Sequence, residues 1–263
     1  MLRQRIITAL VVGPLAIAAI FFLPNLWFGV VLAAVVGLAG EEWAALASPE
    51  QRGLAVAYAA LVAGLSLLLQ WQGLAQWAVW LVLPVWLLGL AWLCLPTRRP
   101  PALSKLLFGL LVLLGAWSAL FLLHGEPLGA WLLLTLFGLV WGADVGAYFA
   151  GKAFGRHKLA PRVSPGKTWE GVAGGLLLAA LVAVVAAWWL NIERLGPFVF
   201  LALLTAGLSV TGDLIESMLK RQAGAKDSGW ILPGHGGILD RVDSLLIAAP
   251  IFLVGLMLLG EPA

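Results

Sequence analysis

Apolar runs of about the length a bilayer requires follow one another along the whole chain, separated by short breaks. Nine stand out, at 6–22, 26–44, 54–69, 74–95, 103–123, 128–148, 172–190, 198–219 and 239–259. A membrane-crossing helix needs roughly 17–25 such residues, so the third run is short. The breaks carry Pro, Gly or charge: Pro24-Asn25, Ser48-Pro49, the stretch 96–101, and 125–127. Within the runs no apolar–polar alternation of barrel strands occurs. Lipid offers a backbone no hydrogen bonds, so each run must satisfy its own. The pattern predicts an all-α, polytopic transmembrane bundle of about nine spans. The first run follows Arg3 and Arg5 but leads to Pro24 and Asn25, not to a small-residue cleavage site, and is read as a retained span.

Composition agrees. Of 263 residues, 62% are hydrophobic and 11% charged, against roughly 45–50% and about 25% in soluble domains; so few charges cannot cover a water-facing surface. The charges also report orientation. With a cytosolic N-terminus, the inside segments hold Arg3, Arg5, Arg52, Arg98, Arg99, Lys105, Lys152, Arg156, Lys158, Arg162, Lys167, Lys220, Arg221, Lys226 and Arg241. Of the 16 Lys and Arg this leaves Arg194 outside, a strong positive-inside bias that supports an odd number of spans. Trp71, Trp77, Trp80, Trp188 and Trp189 fall near span ends, where indole anchors at the interface. Gly37, Gly40, Gly174 and Gly175 suit close helix packing. One cysteine, Cys94, and three scattered histidines, His124, His157 and His235, argue against a zinc site.

Polar residues are unevenly spread. Residues 1–125 read as transmembrane helices with little chemistry. Residues 126–263 form a catalytic transmembrane region with two inside loops, 151–171 and 220–237. Asp144 near the end of the sixth span needs a reason, because a carboxylate at mid-bilayer costs about 2.5–3.5 kcal/mol on insertion scales; a structural Arg partner is one, function another. The run Ser164-Pro165-Gly166-Lys167-Thr168-Trp169-Glu170-Gly171 invites a phosphate-loop reading, which fails because position 161 is Pro and no strand precedes it. Ser164, Lys167 and Thr168 can still bind phosphate, and Ser164 or Thr168 can cap the seventh span with Pro165 in its first turn.

On the eighth span Asp213, Glu216, Ser217 and Lys220 fall at i, i+3, i+4 and i+7, one helical face. A glycine-rich loop containing Lys226, Asp227, His235, Gly236 and Gly237 follows, its backbone suited to approaching an anion. The ninth span then opens with Asp240, Arg241 and Asp243, the two acids at i and i+3. A helix N-terminus favours each acid singly; two acids beside several cations point further, to metal-assisted phosphoryl or nucleotidyl transfer. Hard carboxylates (Asp213, Asp240, and with them Asp144 and Asp243) suit Mg²⁺. Lys220, Arg221, Lys226 and Arg241 suit phosphate charge. A basic inside face attracts a nucleotide and an anionic lipid head alike.

The pattern Ser-x-x-Lys-Arg, four residues, Lys-Asp, then Pro-x-His-Gly-Gly-x-x-Asp-Arg-x-Asp is met without departure by Ser217, Lys220, Arg221, Lys226, Asp227, Pro233, His235, Gly236, Gly237, Asp240, Arg241 and Asp243. It resembles the signature of the phosphatidate cytidylyltransferases. Asp144 to Tyr148, the Ser-Pro-x-Lys-Thr-Trp-Glu-Gly run and Gly212-Asp213 also look like segments of that family. The likeness covers about the C-terminal half; upstream it is one of hydropathy alone. It implies CTP + phosphatidate giving CDP-diacylglycerol + pyrophosphate in phospholipid biosynthesis, dependent on Mg²⁺ held by Asp213 and Asp240, with a second, monovalent cation such as K⁺ nearby. It implies catalytic roles for Asp213, Lys220, Arg221, Lys226, Asp227, Asp240 and Arg241. It implies substrate contacts from Ser164, Lys167, Thr168, Ser217, His235, Gly236 and Gly237, with His235 shaping the loop or donating to a phosphate. The resemblance also implies a homodimer and, with the helical spans, residence in the cell inner membrane; no nucleic acid partner is expected.

Two rivals stay open at this point. A CTP-dependent polyprenol kinase would move the γ-phosphoryl group and release CDP. An ion-coupled transporter would place its acids near the bilayer midplane between broken helices.

Overall fold

The computed structural model describes residues 2–231, 234 and 236–260. Ten helices and one hairpin follow in order: α1 Leu2–Phe22, α2 Asn25–Ala47, α3 Arg52–Trp71, α4 Ala75–Leu93, α5 Ala102–Gly125, α6 Gly129–Phe154, β1 Lys158–Ala160, β2 Ser164–Thr168, α7 Trp169–Leu190, α8 Leu195–Ala223, α9 Leu239–Val242 and α10 Leu245–Leu259. Among the described residues eight helices are long and apolar enough to cross a membrane, counting Leu239–Leu259 as one; the apolar part of α1 runs Leu10–Phe22. The protein is a multi-pass helical membrane protein, as the runs predict. The C-terminal ends of the sixth and eighth spans extend further than hydropathy suggests, to Phe154 and Ala223.

Two packed clusters share their middle. One gathers Leu133, Leu136, Ala183, Phe198, Phe252 and Leu253. The other gathers Trp43, Trp86, Val112, Trp117, Leu246 and Ile247. Helices α2, α4, α5, α8 and α10 feed both and join them. Indole and phenol groups that would be costly in lipid reach backbone carbonyls instead: Trp43 Nε1 donates to Lys105 O at 2.9 Å, Trp117 Nε1 to Gly29 O at 3.1 Å and Tyr58 OH to Leu106 O at 2.7 Å. These bonds tie α2 and α3 to α5.

The outer surface is apolar. Leu177 and Leu258 are each 75% exposed, as expected of side chains that meet lipid. The five predicted anchor tryptophans are all exposed, at the end of α3, the start of α4 and the end of α7. The close packing expected of small residues also holds: Gly174 and Gly175 of α7 lie against the backbone of α6 at Gly146 and Ala143.

One segment departs from the sequence reading. Ser164 and Pro165 do not open the seventh span. They lie in β2, which pairs antiparallel with β1 through Lys158↔Thr168 and Ala160↔Ser164. Thr168 alone caps α7, its Oγ1 accepting from Gly171 N at 3.1 Å. The hairpin folds the first polar loop back against the bundle, and the last residues of β2 reach α8.

Candidate active site

Helix α8 contributes the central stripe. Ser217 Oγ donates to Asp213 Oδ1 at 3.0 Å, the i, i+4 contact that the spacing predicts. One turn on, Lys220 Nζ lies 2.5 Å from Glu216 Oε2 and 2.6 Å from Asp240 Oδ1. From the hairpin, Lys167 Nζ reaches Asp213 Oδ2 at 2.6 Å. Both lysines thus bring their charge to acids of this one face.

The loop and α9 complete it. Asp240 Oδ2 accepts from Ser228 N at 3.0 Å, Ser228 Oγ at 2.9 Å and Gly237 N at 2.8 Å. With Lys220 on Oδ1, both Asp240 oxygens are engaged. Asp243 sits at the break between α9 and α10, its Oδ1 accepting from Ser244 N at 2.6 Å. It faces α8 because Gly212 lets the two backbones touch: a Cβ there would stand 2.4 Å from Asp243 O. Asp213, Glu216 and Asp243 consequently bring one carboxylate oxygen each within 4.8 Å of one another, the only such group among the described residues.

This trio, which shares Asp213 and Asp243 with the expected set, could hold a metal ion. Glu216 is fully buried, and neither of its oxygens has an aligned hydrogen bond despite the neighbouring ammonium. Three converging carboxylates, one of them the buried Glu216 without an aligned donor, are the oxygen-rich surroundings that a divalent ion prefers. The sequence reading put Asp240 and Asp144 among the ligands and left Glu216 as part of the stripe. In the structure Asp240 turns to Lys220 and the loop, and Asp144 borders the neighbouring cavity.

That cavity holds about 190 Å³ and lies between α6, α7, β2 and α8. Asp144, Tyr148, Lys167 and Thr168 line its polar end, Leu176 and Val210 its apolar wall. A second cavity of about 300 Å³ is lined by Arg99, Arg162, Arg221 and Gln222. Arg221 therefore points away from Lys220, toward two arginines that no motif singles out. Lys226, Asp227 and Arg241 are exposed, Ser164 is half-buried at the hairpin's tight end, and Gly236 and Gly237 lie against Asp240. His235 and Pro233 lie outside the described residues.

The sequence reading missed one participant altogether. Glu42, near the end of α2, is 4% exposed. Its Oε1 accepts from Ile238 N at 3.0 Å; its Oε2 accepts from Leu239 N at 2.7 Å and Ser228 Oγ at 3.0 Å. Residues 1–125 therefore reach the loop that carries the signature.

Comparison with known proteins adds to this geometry. The model of a family described as the cytidylyltransferase family matches residues 3–259. The chain is 49% identical over 267 residues to a phosphatidate cytidylyltransferase of Pseudomonas aeruginosa, covering 96% of each. It is 38% identical over 280 residues to one of Haemophilus influenzae, covering 96% of this chain and 97% of that protein. A phosphatidate cytidylyltransferase of Bacillus subtilis is 50% identical over a shorter stretch of 115 residues, 43% of this chain.

Proposed function

The chain belongs to the cytidylyltransferase family, and on that premise we propose that it is a phosphatidate cytidylyltransferase: CTP + phosphatidate gives CDP-diacylglycerol + pyrophosphate. The observation that carries the proposal is the convergence of Asp213, Glu216 and Asp243 with Lys167 beside a cavity that has one polar end and one apolar wall. A nucleotide and a lipid phosphate need such a meeting place.

The chemistry asks little of a general base. A phosphatidate oxygen is already anionic at neutral pH; it attacks the α-phosphorus of CTP, and the bond to the β-phosphate oxygen breaks as pyrophosphate leaves. Positioning and charge neutralisation dominate such a transfer. Lys167 stands at the cavity's polar end, where a lipid phosphate would arrive. Lys220 is held between Glu216 and Asp240, so its charge is fixed in place before substrate binds. Arg221, with Arg99 and Arg162, offers an anionic tail a second resting place, and Lys226 and Arg241 add charge to the approach. Ser217 and Thr168 orient Asp213 and the hairpin, and Gly236 and Gly237 bring loop backbone close to Asp240. Asp213, Glu216 and Asp243 would hold Mg²⁺, with Asp144 and Asp240 bordering them. When bound, Mg²⁺ supplies charge neutralisation at phosphate oxygens.

The proposal places the protein in the cell inner membrane, N-terminus and site toward the cytoplasm, supported by the charge asymmetry of the loops. It assigns the chemistry to residues 126–263. A second, monovalent cation such as K⁺ and a homodimer belong to it on resemblance alone; K⁺ dependence of turnover and the mass of the solubilised protein test them.

The deciding experiment gives purified protein CTP labelled at the α- or the γ-phosphate, with phosphatidate, a polyprenol and Mg²⁺. α-Label in a lipid with release of pyrophosphate is expected. γ-Label on the polyprenol would replace this reading with the kinase, and transfer to neither lipid would reopen the transporter.

A further inference from the structure

Helix α2 carries two adjacent acids near its end that behave differently. Glu41 is half-buried, whereas Glu42 is buried and turned toward the loop that follows α8. A carboxylate this buried requires donors for its lone pairs. The donors that meet it are neutral: the amides of Ile238 and Leu239 and the hydroxyl of Ser228. Their placement is informative. Ser228 stands near the beginning of the loop and Ile238 and Leu239 at its end, so one side chain fastens both ends.

The bonds continue into the site. Ser228 has one hydroxyl proton, and both Glu42 Oε2 at 3.0 Å and Asp240 Oδ2 at 2.9 Å are within reach of it. The hydroxyl therefore bridges the two carboxylates, donating to one at a time, while Ser228 N and Gly237 N hold Asp240 Oδ2. Gly237 is the point where this is tightest: a Cβ there would lie 2.3 Å from Glu42 Oε2 and 2.2 Å from Ser228 Oγ, so no other residue fits without displacing the carboxylate. The path runs Glu42, Ser228, Asp240, Lys220, Glu216, from the N-terminal helices to the acid cluster without a gap.

We infer that Glu42 is a positioning residue of the reaction: by fastening the loop through Ser228, Ile238 and Leu239 it fixes Asp240, and through Asp240 the ammonium of Lys220. The inference rests on the cytidylyltransferase reading. Glu42 touches no substrate in this account; it sets where the loop amides and Lys220 stand when substrate and cation arrive. Glutamine at position 42 keeps the size but replaces one acceptor oxygen with an NH₂ group that must face an N–H or O–H donor. The loop then shifts locally, while the apolar packing of α2 is untouched.

The test uses the full-length protein in detergent as wild type, Glu42→Gln, Glu42→Asp, Ser228→Ala and Glu41→Gln. CDP-diacylglycerol formation is measured against CTP and against Mg²⁺, alongside thermal unfolding and amide hydrogen exchange. Loss of a supporting partner of this kind typically costs about 10–100-fold in metal affinity or activity. Glu42→Gln is expected to lower kcat/KM for CTP, or raise the Mg²⁺ needed for half-maximal turnover, by about tenfold or more at temperatures where it is fully folded. Amides of residues 226–231 and 236–239 should exchange faster while those at the opposite end of the bundle do not, and Glu42→Asp should restore part of the loss. Glu41→Gln should match wild type. Wild-type constants and loop exchange in folded Glu42→Gln, or activity lost only in proportion to the unfolded fraction, would overturn the inference. If Glu42→Gln does not fold, Ser228→Ala decides: it must show the same altered constants and faster loop exchange, and wild-type behaviour there overturns the inference equally. A wild-type protein that makes no CDP-diacylglycerol would defeat the functional reading instead, and the exchange of the loop would still report on Glu42.

Discussion

Lys167 Nζ lies 2.6 Å from Asp213 Oδ2, joining the open end of the hairpin to the acid cluster. Lys167 lines the cavity and Asp213 belongs to the acid trio, so the lysine is placed to meet a phosphate and the aspartate to meet a cation. Removing one preorganised charge donor from such a site costs roughly 10²–10³ in turnover. Lys167→Met should fall by about that much in kcat while still inserting and folding, because both partners are only partly buried. Steady-state kinetics with saturating phosphatidate check this; an unchanged kcat would remove Lys167 from the chemistry.

Glu216, Lys220 and Asp240 form a buried triad, with side chains 1%, 13% and 8% exposed. Stripping the cation from a buried pair costs about 3–5 kcal/mol, because a charge is left uncompensated. Lys220→Met should therefore lower the unfolding temperature in detergent and abolish activity. The double variant Lys220→Met/Glu216→Gln should recover much of the stability and none of the activity. A single variant as stable as wild type would show that Glu216 carries no charge needing compensation.

On the proposed assignment, a Mg²⁺ requirement would depend on Asp243 as well as on Asp213. Chelation should abolish turnover and added Mg²⁺ restore it. Asp243→Asn should raise the Mg²⁺ for half-maximal activity at least as much as the loss of an outer partner does, about 10–100-fold. An unaltered Mg²⁺ titration would move the metal away from this trio.

Gly212 allows α8 and α10 to touch at Asp243. Gly212→Val must push the helices apart, at about 1–3 kcal/mol for an overpacked contact. The expected signature is a modest loss of thermal stability with a disproportionate loss of activity, since Asp213 and Asp243 separate. Equal, small losses of both would mean that the trio tolerates the displacement.

Much of this was legible in the chain. Apolar runs announced the helices, because lipid leaves a backbone no alternative, and the i, i+3, i+4, i+7 stripe placed Asp213, Glu216, Ser217 and Lys220 on one face. The hairpin was not legible: Ser164-Pro165 fits a helix start as well as an edge strand, and three-residue β1 has no pattern of its own. Asp240 illustrates a different limit. Its spacing from Asp243 says that both face one way, but not that Lys220, Ser228 and Gly237 engage its oxygens first. Glu42 lay beyond local reasoning altogether. It stands beside Glu41 at the end of an apolar run, and its amide partners are 196 and 197 residues away in the chain.

That separation has a consequence for biogenesis. At roughly 5–20 residues per second, the 196 residues between Glu42 and Ile238 take roughly 10–40 s to synthesise. Helix α2 must therefore be inserted with its carboxylate still waiting for the amides that will receive it. A nascent chain stalled before the last span leaves the Glu42 carboxylate without its Ile238 and Leu239 amides. The site comes into being only when the end of the chain closes on its beginning.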